Sequence, residues 1–167
     1  GREGKPLSPY AITKAVNEEY ARVFSDVFGF NTIGLRYFNV FGPKQNPNNP
    51  YAAVIPIFCK HFIEGTRPTI FGDGETSRDF TFVENAVQAN IKALLFLDFT
   101  QHEVFNVACG DQISLNRMVT MLQEITGGHD LEPIYVAERS GDVRHSRSSI
   151  EKISQILKYY PHTRFEK

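Results

Sequence analysis

The chain has little that would serve metal, redox or membrane chemistry. Its 167 residues include two cysteines, Cys59 and Cys109, without C-x-x-C spacing, so buried free thiols are expected rather than a disulfide or a metal site. The five histidines, His61, His102, His129, His145 and His162, show no H-E-x-x-H or comparable spacing, and no metal site is expected. No apolar run approaches the roughly 20 residues of a membrane span. No secretory leader pattern is visible, so the cytoplasm is the expected location. A net charge of -1 gives no electrostatic argument for a nucleic-acid or membrane partner. There is no internal repeat, low-complexity segment or block of like charge. A G-x-G-x-x-G string is also missing. Its nearest approach, Gly72-Asp73-Gly74-Glu75-Thr76-Ser77, lacks the third glycine, and its Asp73-Gly74 pair reads as a turn.

What remains is ordinary globular composition, 41% hydrophobic and 22% charged, in a chain long enough to bury a core. Pro9 to Phe28 reads as a helix with Ser8 as N-cap, Pro9 in the first helical position and Gly29 at its end. Ile12, Val16, Val23 and Val27 fall in one narrow arc with Tyr20 beside it, and Glu18, Arg22, Ser25 and Asp26 lie on another side. Asn31 to Phe38 alternates as a strand. Asn39 to Tyr51, with three prolines and four asparagines, reads as a loop. Further helices are expected at Ala53 to Ile63, Val83 to Leu97 (apolar face Val87, Ile91, Leu94, Leu95), Leu115 to Thr126 capped by Ser114, and Ile150 to Tyr159. Strands are expected at Pro68 to Phe71, Phe80 to Phe82, Val104 to Val107 and Pro133 to Val136. The alternation of strands and helices predicts an α/β fold. These strands cannot complete a large parallel sheet by themselves, so unpaired edges and exposed apolar surface are expected.

Tyr10 and Lys14 stand one helical turn apart, which puts a phenol and an ammonium on one face. A cation about 4 Å from a phenolate contributes roughly 4 kcal/mol at an effective dielectric near 20, enough to make a tyrosine a general base near neutral pH. The same spacing also arises on any helix that carries a surface tyrosine and a solvated lysine.

Around this pair stand Ser8-Pro9 before it, then Arg36-Tyr37-Phe38-Asn39-Val40-Phe41-Gly42-Pro43, Tyr51-Ala52-Ala53-Val54-Ile55-Pro56, and Gly72-Asp73-Gly74-Glu75-Thr76-Ser77-Arg78-Asp79-Phe80. Together these motifs resemble the extended short-chain dehydrogenase/reductase superfamily. Within it they are most like the NAD-dependent nucleotide-sugar 4-epimerases, in particular the branch acting on UDP-N-acetylglucosamine. The resemblance runs from Ser8 to about Tyr160. It implies inversion at carbon 4 of a UDP-sugar through a transient 4-keto intermediate, with NAD as cofactor.

The resemblance assigns Tyr10 as base, with Lys14 beside it on the nicotinamide ribose and Tyr37 close to the nicotinamide. It assigns Asn39, Arg78 and Arg139 to the nucleotide diphosphate, the backbone of Ala53 and Val54 to the uracil, and Asp142 to the ribose hydroxyls. Ser146 takes the position whose bulk limits the sugar pocket, a small residue leaving room for an N-acetyl group. By residue type alone, Asn39 is equally a turn former, Tyr37 a packed strand aromatic, Ala53-Val54 a plain helix start, each arginine a solvated charge and Ser146 a loop serine.

Such an enzyme should begin with a glycine-rich strand–turn–helix and carry a serine or threonine upstream of the tyrosine. Neither is here. The chain is therefore expected to be a C-terminal half. Residues 1–42 would end the dinucleotide-binding domain, and residues 43–167 would form mostly the substrate-binding domain, with some segments returning to the sheet. Alone it is expected to be inactive, and in the intact protein to form a homodimer through the tyrosine helix. The alternatives are a fragment of a nucleotide-sugar 4,6-dehydratase or UDP-glucuronate decarboxylase, or a noncatalytic nucleotide-sugar-binding or dimerisation module.

Overall fold

The computed structural model describes residues 6, 8–48, 53–128, 130–139 and 144–166. Its first element is the expected helix, α1 (Pro9–Phe28). The Ser8 hydroxyl accepts the Ala11 N–H at 3.1 Å, and Gly29 closes the helix at φ 65°, a left-handed conformation that costs glycine little. Strand β1 (Ile33–Tyr37) follows. The next segment, expected to be loop throughout, contains a two-residue strand, β2 (Val40–Phe41), held by its pairing partner rather than by any local period. Helix α2 (Val54–Ile63) uses Ala53 as its N-cap.

Three short strands come next, β3 (Thr69–Phe71), β4 (Ser77–Arg78) and β5 (Thr81–Phe82), and, running directly from β5, helix α3 (Val83–Leu95). The remainder is β6 (Glu103–Val107), β7 (Ile113–Ser114), α4 (Leu115–Thr126), β8 (Ile134–Val136) and α5 (Glu151–Ile156). Helices α3 and α5 stop short of the Leu97 and Tyr159 expected from the sequence, because the chain turns extended at Phe96 and caps at Leu157.

Strands β1 and β6 pair in parallel, as do β2 with β5 and β3 with β8, whereas β4 and β7 pair antiparallel. The Asp73-Gly74 turn is present. Asp73 Oδ1 accepts the Glu75 N–H at 3.0 Å, and Gly74 sits at φ 77°, where an added Cβ would lie 2.0 Å from Asn116 Oδ1.

Two apolar clusters hold the chain together. One joins α2, β3 and α4 through Phe58, Phe62, Ile70, Phe80, Met118 and Val119; the other joins α3, β6 and α5 through Ala89, Phe105, Val107, Ile153 and Tyr159. Cys109 is buried and Cys59 half-buried, both as free thiols. The expected exposed apolar surface is also there. Ile12, Val16, Tyr20, Val23 and Val27 of α1 are exposed, and so are Val87, Ile91, Leu94 and Leu95 of α3, whose buried side is Asn85, Ala86 and Ala89. No helix among the described residues is long and apolar enough to cross a membrane.

Candidate active site

A cavity of about 410 Å³ lies between the start of α2 and strands β3 and β4. Its walls bring together five of the expected site residues, Asn39, Ala53, Val54, Arg78 and Arg139, from four separate stretches of chain. The volume is within the usual range for a small-molecule site. The described lining includes two arginines and His61 but no carboxylate side chain, so the field in the cavity favours an anion.

Each cation is held from behind. The Arg139 guanidinium stacks on the Phe71 ring, its carbon 3.6 Å from the ring centroid. Arg78 donates from Nη1 to the Ser77 carbonyl at 2.9 Å and to the Arg144 carbonyl at 3.4 Å. Such braced, planar donors suit a diphosphate better than flexible ammonium groups do. Asn39 sits at φ 37°, donates from Nδ2 to the Asp79 carbonyl at 2.9 Å, and accepts the Thr81 N–H at 3.3 Å. It therefore is a turn former, and it lines the cavity as well.

Asp79, next to Arg78, is fully buried. Its carboxylate accepts backbone N–H bonds from Cys109 at 2.9 Å, Gly110 at 3.0 Å and Ser148 at 3.4 Å. Burial pushes this carboxyl above the usual range, and the same three N–H donors pull against that rise. The residue ties the arginine strand to two distant segments. It is not among the residues expected from the sequence, where its signal is a carboxylate standing directly before Phe80-Thr81-Phe82. The contributions of His61, Thr69, Phe71 and Thr76 to the cavity were overlooked too, because nothing local distinguishes them.

The other expected residues within the described part of the chain stand outside the cavity lining. Lys14 lies over the Tyr10 ring, Nζ 5.2 Å from its centroid, with the tyrosine 70% exposed. Tyr37 donates its hydroxyl to Asn90 Oδ1 at 2.9 Å. Half-buried Ser146 donates its N–H to the Ser77 carbonyl at 3.1 Å, one residue from Arg78. Asp142 lies outside the described residues.

For a dinucleotide, the residues fit one end only. The Tyr10–Lys14 pair sets a phenol beside an ammonium, groups able to hydrogen-bond sugar hydroxyls. No described strand leads through a glycine-rich turn into a helix: β5 runs straight into α3 and β7 straight into α4.

These elements place the chain in a known group. It matches the NAD dependent epimerase/dehydratase family over residues 2–108, well over half its length, and it belongs to that family. Among solved structures it is similar to a UDP-N-acetylglucosamine 4-epimerase from Methanobrevibacter ruminantium in complex with UDP-N-acetylmuramic acid, with 39% identity and a TM-score of 0.89 over 96% of this chain and 50% of that one. It is similar to a UDP-glucose 4-epimerase from Thermotoga maritima with UDP-glucose, at 38% identity and a TM-score of 0.89 over 97% of this chain and 51% of that one. A UDP-glucuronic acid 4-epimerase from Bacillus cereus, in complex with UDP-glucuronic acid and NAD, matches at 30% identity and a TM-score of 0.87 over 97% of this chain and 50% of that one. The chain spans about half the length of the curated relatives it matches, 48% of the first of them.

Proposed function

We propose that these residues form the substrate-side half of a UDP-sugar 4-epimerase whose substrate is UDP-N-acetylglucosamine. The observation that carries the reading is the single cavity that unites Asn39, Ala53, Val54, Arg78 and Arg139. Three similar structures bound to different UDP-sugars support the UDP part. The N-acetyl sugar rests on the small side chain of Ser146.

In this reading Arg78 and Arg139 clamp the diphosphate, and the backbone at Ala53 and Val54 meets the uracil. Asp142 holds the ribose hydroxyls, and Tyr37 flanks the nicotinamide. The chemistry NAD supplies when bound is reversible acceptance of the hydride from carbon 4 of the sugar. Tyr10 Oη accepts the proton of the 4-hydroxyl and later returns it, and the Lys14 ammonium supplies positive charge beside the phenolate. The apolar arc of α1, exposed here, packs against its two-fold mate in a homodimer.

Calorimetric titration tests the division of labour. The 167 residues by themselves should bind UDP while binding NAD poorly and epimerising nothing. The full-length protein carrying them should interconvert UDP-N-acetylglucosamine and its 4-epimer in a coupled assay. Micromolar NAD binding by the 167 residues, or no turnover of any UDP-sugar by the full-length protein, overturns the reading.

A further inference from the structure

Helix α1 meets the rest of this chain through polar side chains. At 3.6 residues per turn, Tyr10, Lys14, Glu18 and Ser25 fall within an arc of about 80°. Ser25 is the buried residue of this helix, and Glu18, Ala11 and Ala21 are half-buried on the same side. The apolar arc of Ile12, Val16, Tyr20, Val23 and Val27 points away. The arc that bears the exposed phenol and ammonium is thus the one that, further along the helix, meets the chain through Glu18 and Ser25.

Two fastenings hold that face. Glu18 pairs with Arg36 of β1 through both carboxylate oxygens: Arg36 Nε donates to Oε1 at 2.6 Å, and Nη2 donates to Oε2. Both side chains are about two-thirds buried, at 33% and 28% exposure, so water screens this pair less than a surface pair. Two turns further on, the Ser25 hydroxyl donates to Asn31 Oδ1 at 2.7 Å and accepts the His102 N–H at 2.9 Å. A bidentate fork fixes direction as well as distance. Acting with the Ser25 fastening, it sets both the rotation and the axial height of the helix.

We infer that Glu18 and Arg36 are positioning residues whose forked ion pair sets where α1 presents Tyr10 and Lys14. The inference rests on the epimerase reading above for what the phenol does, and on this geometry for how the phenol is placed. Glu18 stands about 12 Å along the axis from Tyr10, so loss of the fork rotates or slides the whole face rather than removing a contact to substrate. Geometry of the reacting groups governs the rate steeply, and a displacement of about 1 Å can cost roughly 10²-fold. Binding of the UDP moiety depends on a cavity that includes neither residue.

The test uses the full-length protein with three variants: Glu18→Gln, Arg36→Lys (which keeps the charge and loses the fork), and the charge-exchanged pair Glu18→Arg with Arg36→Glu. Each is measured for kcat and KM, and for hydrogen exchange of the α1 amides from Ile12 to Tyr20. Both single variants should lose roughly 10-fold to 10²-fold in kcat with KM within about two-fold of the starting protein, and their α1 amides should exchange faster. The exchanged pair should recover part of the rate and of the protection. Unchanged kcat with a lowered Tm, a rise in KM that accounts for the whole loss, or no recovery in the exchanged pair overturns the inference. If the starting protein turns over no UDP-sugar, the epimerase reading fails. The exchange data then decide alone: faster α1 exchange in the single variants, restored in the exchanged pair, supports the positioning role, and unchanged exchange overturns it.

Discussion

The guanidinium carbon of Arg139 lies over the ring of Phe71, 3.6 Å from its centroid, at the wall of the cavity that also holds Arg78. The stack fixes the plane of the cation before any anion arrives, so little side-chain entropy is left to lose on binding. Arg139→Lys keeps the charge but loses the planar fork. It should weaken UDP binding about 10-fold or more, and Phe71→Leu should weaken it by a smaller factor. Calorimetry with UDP measures both, and equal affinity in all three proteins would show that the arginine is a surface charge.

Tyr10→Phe removes the hydroxyl and keeps the ring. In the full-length protein the rate constant should fall about 10²-fold or more, the scale of general-base catalysis, with substrate affinity little changed. Loss of affinity with surviving turnover would make Tyr10 a binding residue.

Ser146 decides the sugar in the proposed function. Ser146→Tyr in the full-length protein should exclude UDP-N-acetylglucosamine through a steric clash and spare UDP-glucose. The ratio of kcat/KM for the two substrates is the observable. An unchanged ratio would leave Ser146 as a loop serine whose N–H joins it to Ser77.

Acid stability should depend on Glu103. The hydrogen bond from Lys152, whose Nζ lies 2.6 Å from Oε2, lowers this carboxyl below its usual value, helped by Gln101 and opposed by burial. A carboxylate with a depressed folded-state value stabilises the fold above the ordinary glutamate range, about pH 4.3, and loses that contribution as pH falls through the lower folded value. Lys152→Leu should therefore lower Tm near neutral pH, and its gap to the starting protein should shrink in melts taken below about pH 4. A gap independent of pH would assign the effect to the Lys152 ammonium over the Phe105 ring, 4.9 Å from its centroid, rather than to Glu103.

The exposed arc of α1 should carry the homodimer contact. Light scattering of the full-length protein should give twice the chain mass, and Val16→Glu at the centre of the arc should shift it toward monomer. A monomer mass that does not vary with concentration would show that another surface covers the arc.

Features that depend on neighbours within a turn or two follow from the amino-acid order alone. Ser8, Pro9 and Gly29 bound α1, and Ser114 and Gly127 bound α4, because caps act on backbone groups three or four residues away. The Tyr10–Lys14 pair was legible for the same reason, since one helical turn suffices to make it. Features that depend on pairing across the chain arise only on packing. β4 and β7 are two residues each and carry no period, so only their mutual hydrogen bonds define them. The cavity was legible through its arginines, yet Phe71 and His61 joined it, and Asp79 next to Arg78 met its backbone donors, only once distant segments of the chain were packed together. The amphipathic pattern of α1 showed two faces and could not say which one meets the body of the chain. That was settled by Arg36, eighteen residues away, whose fork turns the polar face of Glu18 inward.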